Sequence, residues 1–149
     1  MEIAILLAYA GVAIMTGGAF VASTLGVTIT GNAVVGAMKK NPEPFGLYLG
    51  LSALPSSQGL YGFVGYIMTA KFLVASVSML QACAVLTLGI MMGVACIYSA
   101  IRQAQVCANG ITALSSGHNV FVPTMVMGVF PELYAILSLL VVILVSFAI

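Results

Sequence analysis

The chain has no tryptophan and almost no charge: its 149 residues include four Lys or Arg, three Asp or Glu and one His, 5% charged in all. With 62% hydrophobic residues, it has too little polar side-chain surface to cover a soluble globule. The scarcity of Lys and Arg also excludes nucleic acid as a partner, because no basic stripe is available to neutralise phosphates. Cys83, Cys96 and Cys107 stand singly, with no CxxC pair and no His at metal spacing. That pattern argues against a zinc site or disulfide framework and reads as small buried hydrophobes. No GxxxxGK[ST] segment occurs, so the chain has no means of its own to bind or hydrolyse a nucleotide, and nothing in it asks for an organic cofactor. An integral, multi-pass membrane protein remains. Met1-Glu2-Ile3 lacks a basic flank and opens an apolar run longer than that of a signal peptide, so it reads as a retained first helix.

Four apolar stretches run from Ile3 to Met38, Phe45 to Ala70, Phe72 to Leu114 and Val120 to Ile149, each reaching the about 20 residues that cross a bilayer as a helix. The breaks fall at Lys39-Lys40-Asn41-Pro42-Glu43-Pro44, near Lys71, and at Ser115-Ser116-Gly117-His118-Asn119. The expected fold is all-α, with four transmembrane helices in two tandem hairpins, residues 1–71 and 72–149. Lys39, Lys40 and His118 bias the first and third turns toward the cytoplasm, leaving both termini outside. The hairpins also read as repeats. Leu60-Tyr61-Gly62-Phe63 matches Leu133-Tyr134-Ala135-Ile136 at an offset of 73, and Gly36 matches Gly110 at 74. In this register Gly59 falls opposite Glu132.

Glu132 is the most informative residue, a lone carboxylate in a run that is otherwise apolar apart from Thr124, Ser138 and Ser146. A carboxylate deep in a membrane is expensive and usually handles ions or protons. Counting from turns near Gly117 and Glu43, Gln103, Glu132 and Gln58 all lie 14 or 15 residues along their helices, which is one level about 20 Å from the turns. Pro55, within Leu54-Pro55-Ser56-Ser57-Gln58-Gly59-Leu60-Tyr61, and Pro131 each deprive a carbonyl of its helical donor and kink the backbone. Carbonyls, a hydroxyl, amide oxygens and one carboxylate make a hard oxygen cage with a single compensating charge, suited to a monovalent cation.

These segments resemble a known family. Leu54 to Phe63, Ser99-Ala100-Ile101-Arg102-Gln103-Ala104-Gln105-Val106 through Gly110, and Glu132-Leu133-Tyr134-Ala135-Ile136-Leu137 are similar to the membrane-ring proteolipid, the K or c subunit, of V-type and A-type rotary ATPases. The similarity runs almost the whole chain, duplicated hairpin included. It implies an ion-translocating rotor protein in a homo-oligomeric ring, surrounded by lipid and partnered by a central-stalk subunit and by a stator membrane subunit with an arginine. In a prokaryote it would lie in the plasma membrane. It further implies Na⁺ or H⁺ bound at Glu132. In sodium-binding members the ligands match the Leu54 carbonyl, the Ser57 hydroxyl (commonly a Thr there), Gln58 and Gln103, with Tyr61 hydrogen-bonded to the glutamate. Pro131 and Arg102 depart from the family pattern. Sodium is the favoured ion, since a proton gives no reason for Ser57, Gln58 and Gln103 to gather around the acid.

Two other classes offer alternatives. A small four-helix proton-coupled transporter would carry its acid in the first helix with a substrate-stacking Trp, which is absent here; a structural or pore-forming membrane protein would not need Glu132. Taken singly, Gln58 and Gln103 read equally well as interhelical glue, and Tyr134 as a packing aromatic. Gly11, Gly18, Ala22 and Gly26 on the first helix, and the pairs Gly46–Gly50 and Gly89–Gly93, mark faces on which backbones can approach closely.

Overall fold

A computed structural model describes residues 2–149, and its regular structure is helical throughout. Helix α1 spans Glu2–Lys40, α2 Phe45–Ala53, α3 Ser57–Thr69, α4 Met79–Ser115 and α5 Phe121–Ala148; 3-10 turns occupy Leu54–Ser56 and Ala70–Phe72. Three of these, α1, α4 and α5, are long and apolar enough to cross a membrane. At 39 and 37 residues, α1 and α4 exceed the about 20 that hydrocarbon requires.

The second apolar stretch differs from the single helix expected of it. Pro55 has no N–H for the Leu51 carbonyl, and the backbone answers by tightening into the 3-10 turn Leu54–Ser56, in which the Ser57 N–H donates to Leu54 O. The dihedrals stay right-handed through Ala53, Leu54, Ser56 and Ser57, so α2 and α3 continue one another as a jointed rod. The third stretch starts later than expected, at Met79 and not Phe72. Ser78 caps it, its Oγ accepting from Gln81 N–H while Gln81 Oε1 accepts from Ser78 N–H, both at 3.2 Å. Pro131, expected to kink its helix, sits inside an uninterrupted α5.

The core is built on α1 against α4, which run in the same direction. A Cβ on Gly18 would lie 2.8 Å from the Gly93 Cα, and one on Gly89 would collide with the Gly11 carbonyl, so glycine is required at this crossing. Gly26 sits against Pro55 and Ala100, and Ala22 is buried beside them. The first-helix stripe and the Gly89–Gly93 pair are therefore packing faces. Gly46 has nothing within 4 Å and Gly50 only the Phe121 ring, so that pair makes no helix crossing. The jointed rod packs along α1, with Gly62 against Ala19 and Gly59 against Ser23, and also touches α4 and α5; α5 packs on α4, where Gly110 admits Thr124, and Gly128 stands 3.3 Å from Cys107 Sγ by its would-be Cβ.

Candidate functional site

Glu132 is half-buried on α5, one turn beyond the close approach at Gly128, and three side chains from two other elements converge on it. Ser57 Oγ donates to Oε1 at 2.5 Å, the Tyr61 hydroxyl donates to the same oxygen at 2.6 Å, and Gln103 Nε2 donates to Oε2 at 2.8 Å. Both carboxylate oxygens are thus held, from α3 on one side and α4 on the other. Behind them Gln58 Nε2 donates to Gln103 Oε1 at 2.9 Å and to Ser99 Oγ at 3.0 Å, with both glutamines fully buried. A buried carboxamide without partners is costly, and here among the described residues no buried side-chain polar atom lacks one.

The local fold explains the convergence. The 3-10 turn after Pro55 presents Ser57, Gln58 and Tyr61 from the start of α3. Ser57, Gln58 and Tyr61 fall at i, i+1 and i+4, so Ser57 and Tyr61 share a face aimed at α5 while Gln58 turns inward to α4. Leu54 contributes only its carbonyl, which accepts the Ser57 hydroxyl at 3.1 Å. All six residues expected from the sequence belong to one connected cluster. Sequence reasoning missed Ser99, which fixes the Gln58 amide; lying four residues before Gln103, it could have been found as the next position on the same face of α4.

The chemistry of the cluster is that of too many acceptors for the available protons. The single Ser57 hydroxyl proton faces three oxygens, Glu132 Oε1 at 2.5 Å, Leu54 O at 3.1 Å and Gln58 Oε1 at 3.4 Å. It can serve one fully, which leaves lone pairs on the others pointing into the same small space. Surplus neutral oxygens around one carboxylate match the donor set of a small hard monovalent cation. Arg102, next to Gln103 in sequence, is turned away from the cluster: it is exposed, and its Nη1 donates to Gln105 Oε1 at 3.1 Å.

Comparison with known proteins supplies the family. The family model for the C subunit of ATP synthase matches the chain twice, over residues 10–69 and 86–145. The "A-type ATP synthase subunit K" of Methanocaldococcus jannaschii is 34% identical over 140 residues, covering 94% of this chain and 61% of that protein. The "V-type sodium ATPase subunit K" of Enterococcus hirae is 31% identical over 121 residues, covering 81% of this chain and 78% of that protein. The chain thus spans about three-fifths of the first relative's length. With two tandem matches that together take in most of its residues, the chain belongs to the family of the ATP synthase C subunit.

Proposed function

We propose that this chain is the ion-carrying subunit of the membrane ring of a V/A-type rotary ATPase, crossing the membrane four times as hairpins 1–71 and 72–149 and binding Na⁺ in preference to H⁺. The observation that carries the reading is the lone carboxylate of Glu132 with three donors from α3 and α4 on its two oxygens. Its Na⁺ ligands would be the Leu54 carbonyl, Ser57 Oγ, the oxygens of Gln58 and Gln103, and Glu132. Tyr61, donating to Oε1, would hold the carboxylate in place. On sodium binding the Ser57 hydroxyl keeps its proton and donates it to the carboxylate or to Leu54 O, and the Oγ lone pairs turn to the ion. The name of the Enterococcus relative includes sodium, which supports the choice of ion.

Electrostatics then couples binding to rotation. A site glutamate turned toward lipid must be neutralised by a cation or proton, because a bare charge there costs several kcal/mol. At a stator subunit's water-filled channel a fixed arginine favours the empty carboxylate, and the ion exchanges. Lys39, Lys40 and His118 would face the cytoplasm and the central stalk, with both termini outside, and the host membrane would be a prokaryotic plasma membrane. Nucleotide chemistry would belong to partner subunits.

The test is modification of Glu132 by a hydrophobic carbodiimide, which reacts with the protonated carboxyl. At fixed pH, sodium should slow labelling by occupying the carboxylate. If labelling follows pH alone and ignores millimolar sodium, the ring carries protons and the two glutamines are interhelical glue.

A further inference from the structure

Arg102 is a cation in the middle of an apolar surface, and no carboxylate of its own chain serves it. It lines a hollow of about 410 Å³ between α4 and α5, on the side of α4 away from α1, together with Tyr98, Phe130, Pro131 and Tyr134. The exposed apolar side chains of α5 extend from Val122 to Phe147, and the hollow lies between these ends, about 12 Å or more from either. A phospholipid headgroup does not reach that depth. Of the chain's three acids, Glu132 is engaged by Ser57, Tyr61 and Gln103, while Glu2 starts α1 and Glu43 lies in the turn between α1 and α2. The guanidinium has five N–H donors and one partner, Gln105. Leaving the rest unmet in hydrocarbon is costly.

The chain carries a matching surface elsewhere. The face of α1 turned away from α4 exposes Ala10, Ala13, Gly17, Thr24, Thr28 and Asn32, interspersed with the larger Ile14, Val21 and Val35. A Cβ on Gly17 or on nearby Gly31 would meet nothing within 4 Å, so this small-residue face is unpartnered within one copy. Its polar members lie at the right depth. In the α1–α4 packing Gly26 meets Ala100, an offset of 74, and Gly18 meets Gly93, an offset of 75. The same register puts Thr28 level with Arg102, and Asn32 one turn nearer the third turn, the direction in which the guanidinium reaches toward Gln105. In a ring whose copies are related by rotation about the membrane normal, every residue keeps its depth from copy to copy. The Thr28 hydroxyl already donates to Thr24 O, which leaves its lone pairs free to accept.

We infer that the α4–α5 hollow receives the outward face of α1 from the next copy of this chain, with Arg102 donating to the Thr28 hydroxyl and Asn32 carboxamide oxygen of that copy. Neutral oxygens replace the hydration of the guanidinium without cancelling its charge, and the narrow Gly17–Gly31 face lets the neighbouring backbone come close. Arg102 acts here as a register pin between copies and not as a ligand to the transported ion. This inference rests on the ring proposed above.

The test is disulfide trapping in the full chain with Cys83, Cys96 and Cys107 replaced by serine or alanine. Arg102→Cys paired with Thr28→Cys, and independently Ala95→Cys paired with Val21→Cys, which leaves Arg102 untouched, should each give a ladder of covalent oligomers on oxidation. Either single cysteine should not. Arg102→Leu should also lower the temperature at which the purified ring dissociates, and Arg102→Lys should restore part of the loss. A ring seen intact by native mass spectrometry that yields no ladder from either pair overturns this interface and leaves the ring standing. A chain that stays monomeric overturns the ring itself, and the interface with it.

Discussion

Replacing Gln103 by alanine isolates what the amides contribute to Glu132. The change removes the 2.8 Å bond from Nε2 to Oε2 and the Oε1 that accepts from Gln58, while Gln58 Nε2 keeps Ser99 Oγ at 3.0 Å. It also removes the Gln103 oxygen proposed as a ligand of the ion, and a polar contact to a charged group is worth about 1.5–3 kcal/mol. At about 1.4 kcal/mol per tenfold, sodium binding should weaken by about 10- to 150-fold. Gln58→Ala removes another oxygen proposed as a ligand together with the neutral bond to Gln103 Oε1, which alone is worth about 0.5–1.5 kcal/mol, so a weakening of at least about 2- to 13-fold is expected. The assay is the sodium concentration that halves the rate of carbodiimide labelling at fixed pH, measured on the detergent-purified protein. Labelling without sodium should persist in both variants, since Glu132 is intact. A Gln103→Ala protein whose half-protecting sodium stays within about threefold of the parent, below the range just worked out, would refute the reasoning.

Glu132→Gln keeps the size of the side chain and should leave assembly intact while abolishing coupled ion transport in the reconstituted complex; Glu132→Asp should be impaired, because one methylene moves the oxygens by more than the about 0.2 Å that a cation site tolerates. Gly89→Val should destabilise the protein by at least the about 1–3 kcal/mol of an overpacked contact, since even a Cβ there strikes the Gly11 carbonyl, whereas Gly46→Ala, with nothing within 4 Å, should leave the thermal melt unchanged. Cysteines at Asn41 and Ser116, in the background lacking native cysteines, should react with a membrane-impermeant reagent only from the cytoplasmic side of oriented vesicles; labelling from outside would invert the topology.

The parts of the fold that rest on composition and turn chemistry were legible in the sequence. The Lys39–Pro44 and Ser115–Asn119 breaks fall where helices α1 and α4 end, and counting residues from them brought Gln58, Gln103 and Glu132 to one level, where hydrogen bonds now join them in a chain. Local backbone responses were harder to read. Both Pro55 and Pro131 lack an N–H, yet the first tightens into a 3-10 turn while α5 runs on unbroken through the second. The difference lies in neighbours: Pro55 is buried against the position of Gly26, while Pro131 borders the open hollow beside Arg102. The start of α4 was misjudged because apolar residues continue through Phe72, Leu73 and Val74. The S-x-x-Q signature of Ser78-Met79-Leu80-Gln81 was there to be read, and the reciprocal bonds of Ser78 and Gln81 make it the cap. Likewise Ser99 is an ordinary small residue until the Gln58 amide is seen to rest on it.

The repeat makes the absence of a second acid as informative as the presence of the first. Gly59 stands opposite Glu132 in the repeat register, but it is buried and faces α1. There its N–H donates to Ser23 Oγ at 2.7 Å, and that hydroxyl donates in turn to Ser56 O at 3.1 Å. A Cβ at this position would press to 3.2 Å from the same Oγ, so an acidic side chain could enter only by displacing the serine. The Ser23 clasp thus holds the backbone after Pro55 with a neutral group at the place where the second hairpin carries its carboxylate. In the proposed ring each copy, built from two hairpins, would then carry one ion per turn and not two. For a given number of ATP molecules per turn, halving the ions halves the charge moved per ATP and doubles the ion-motive force against which each hydrolysis can work.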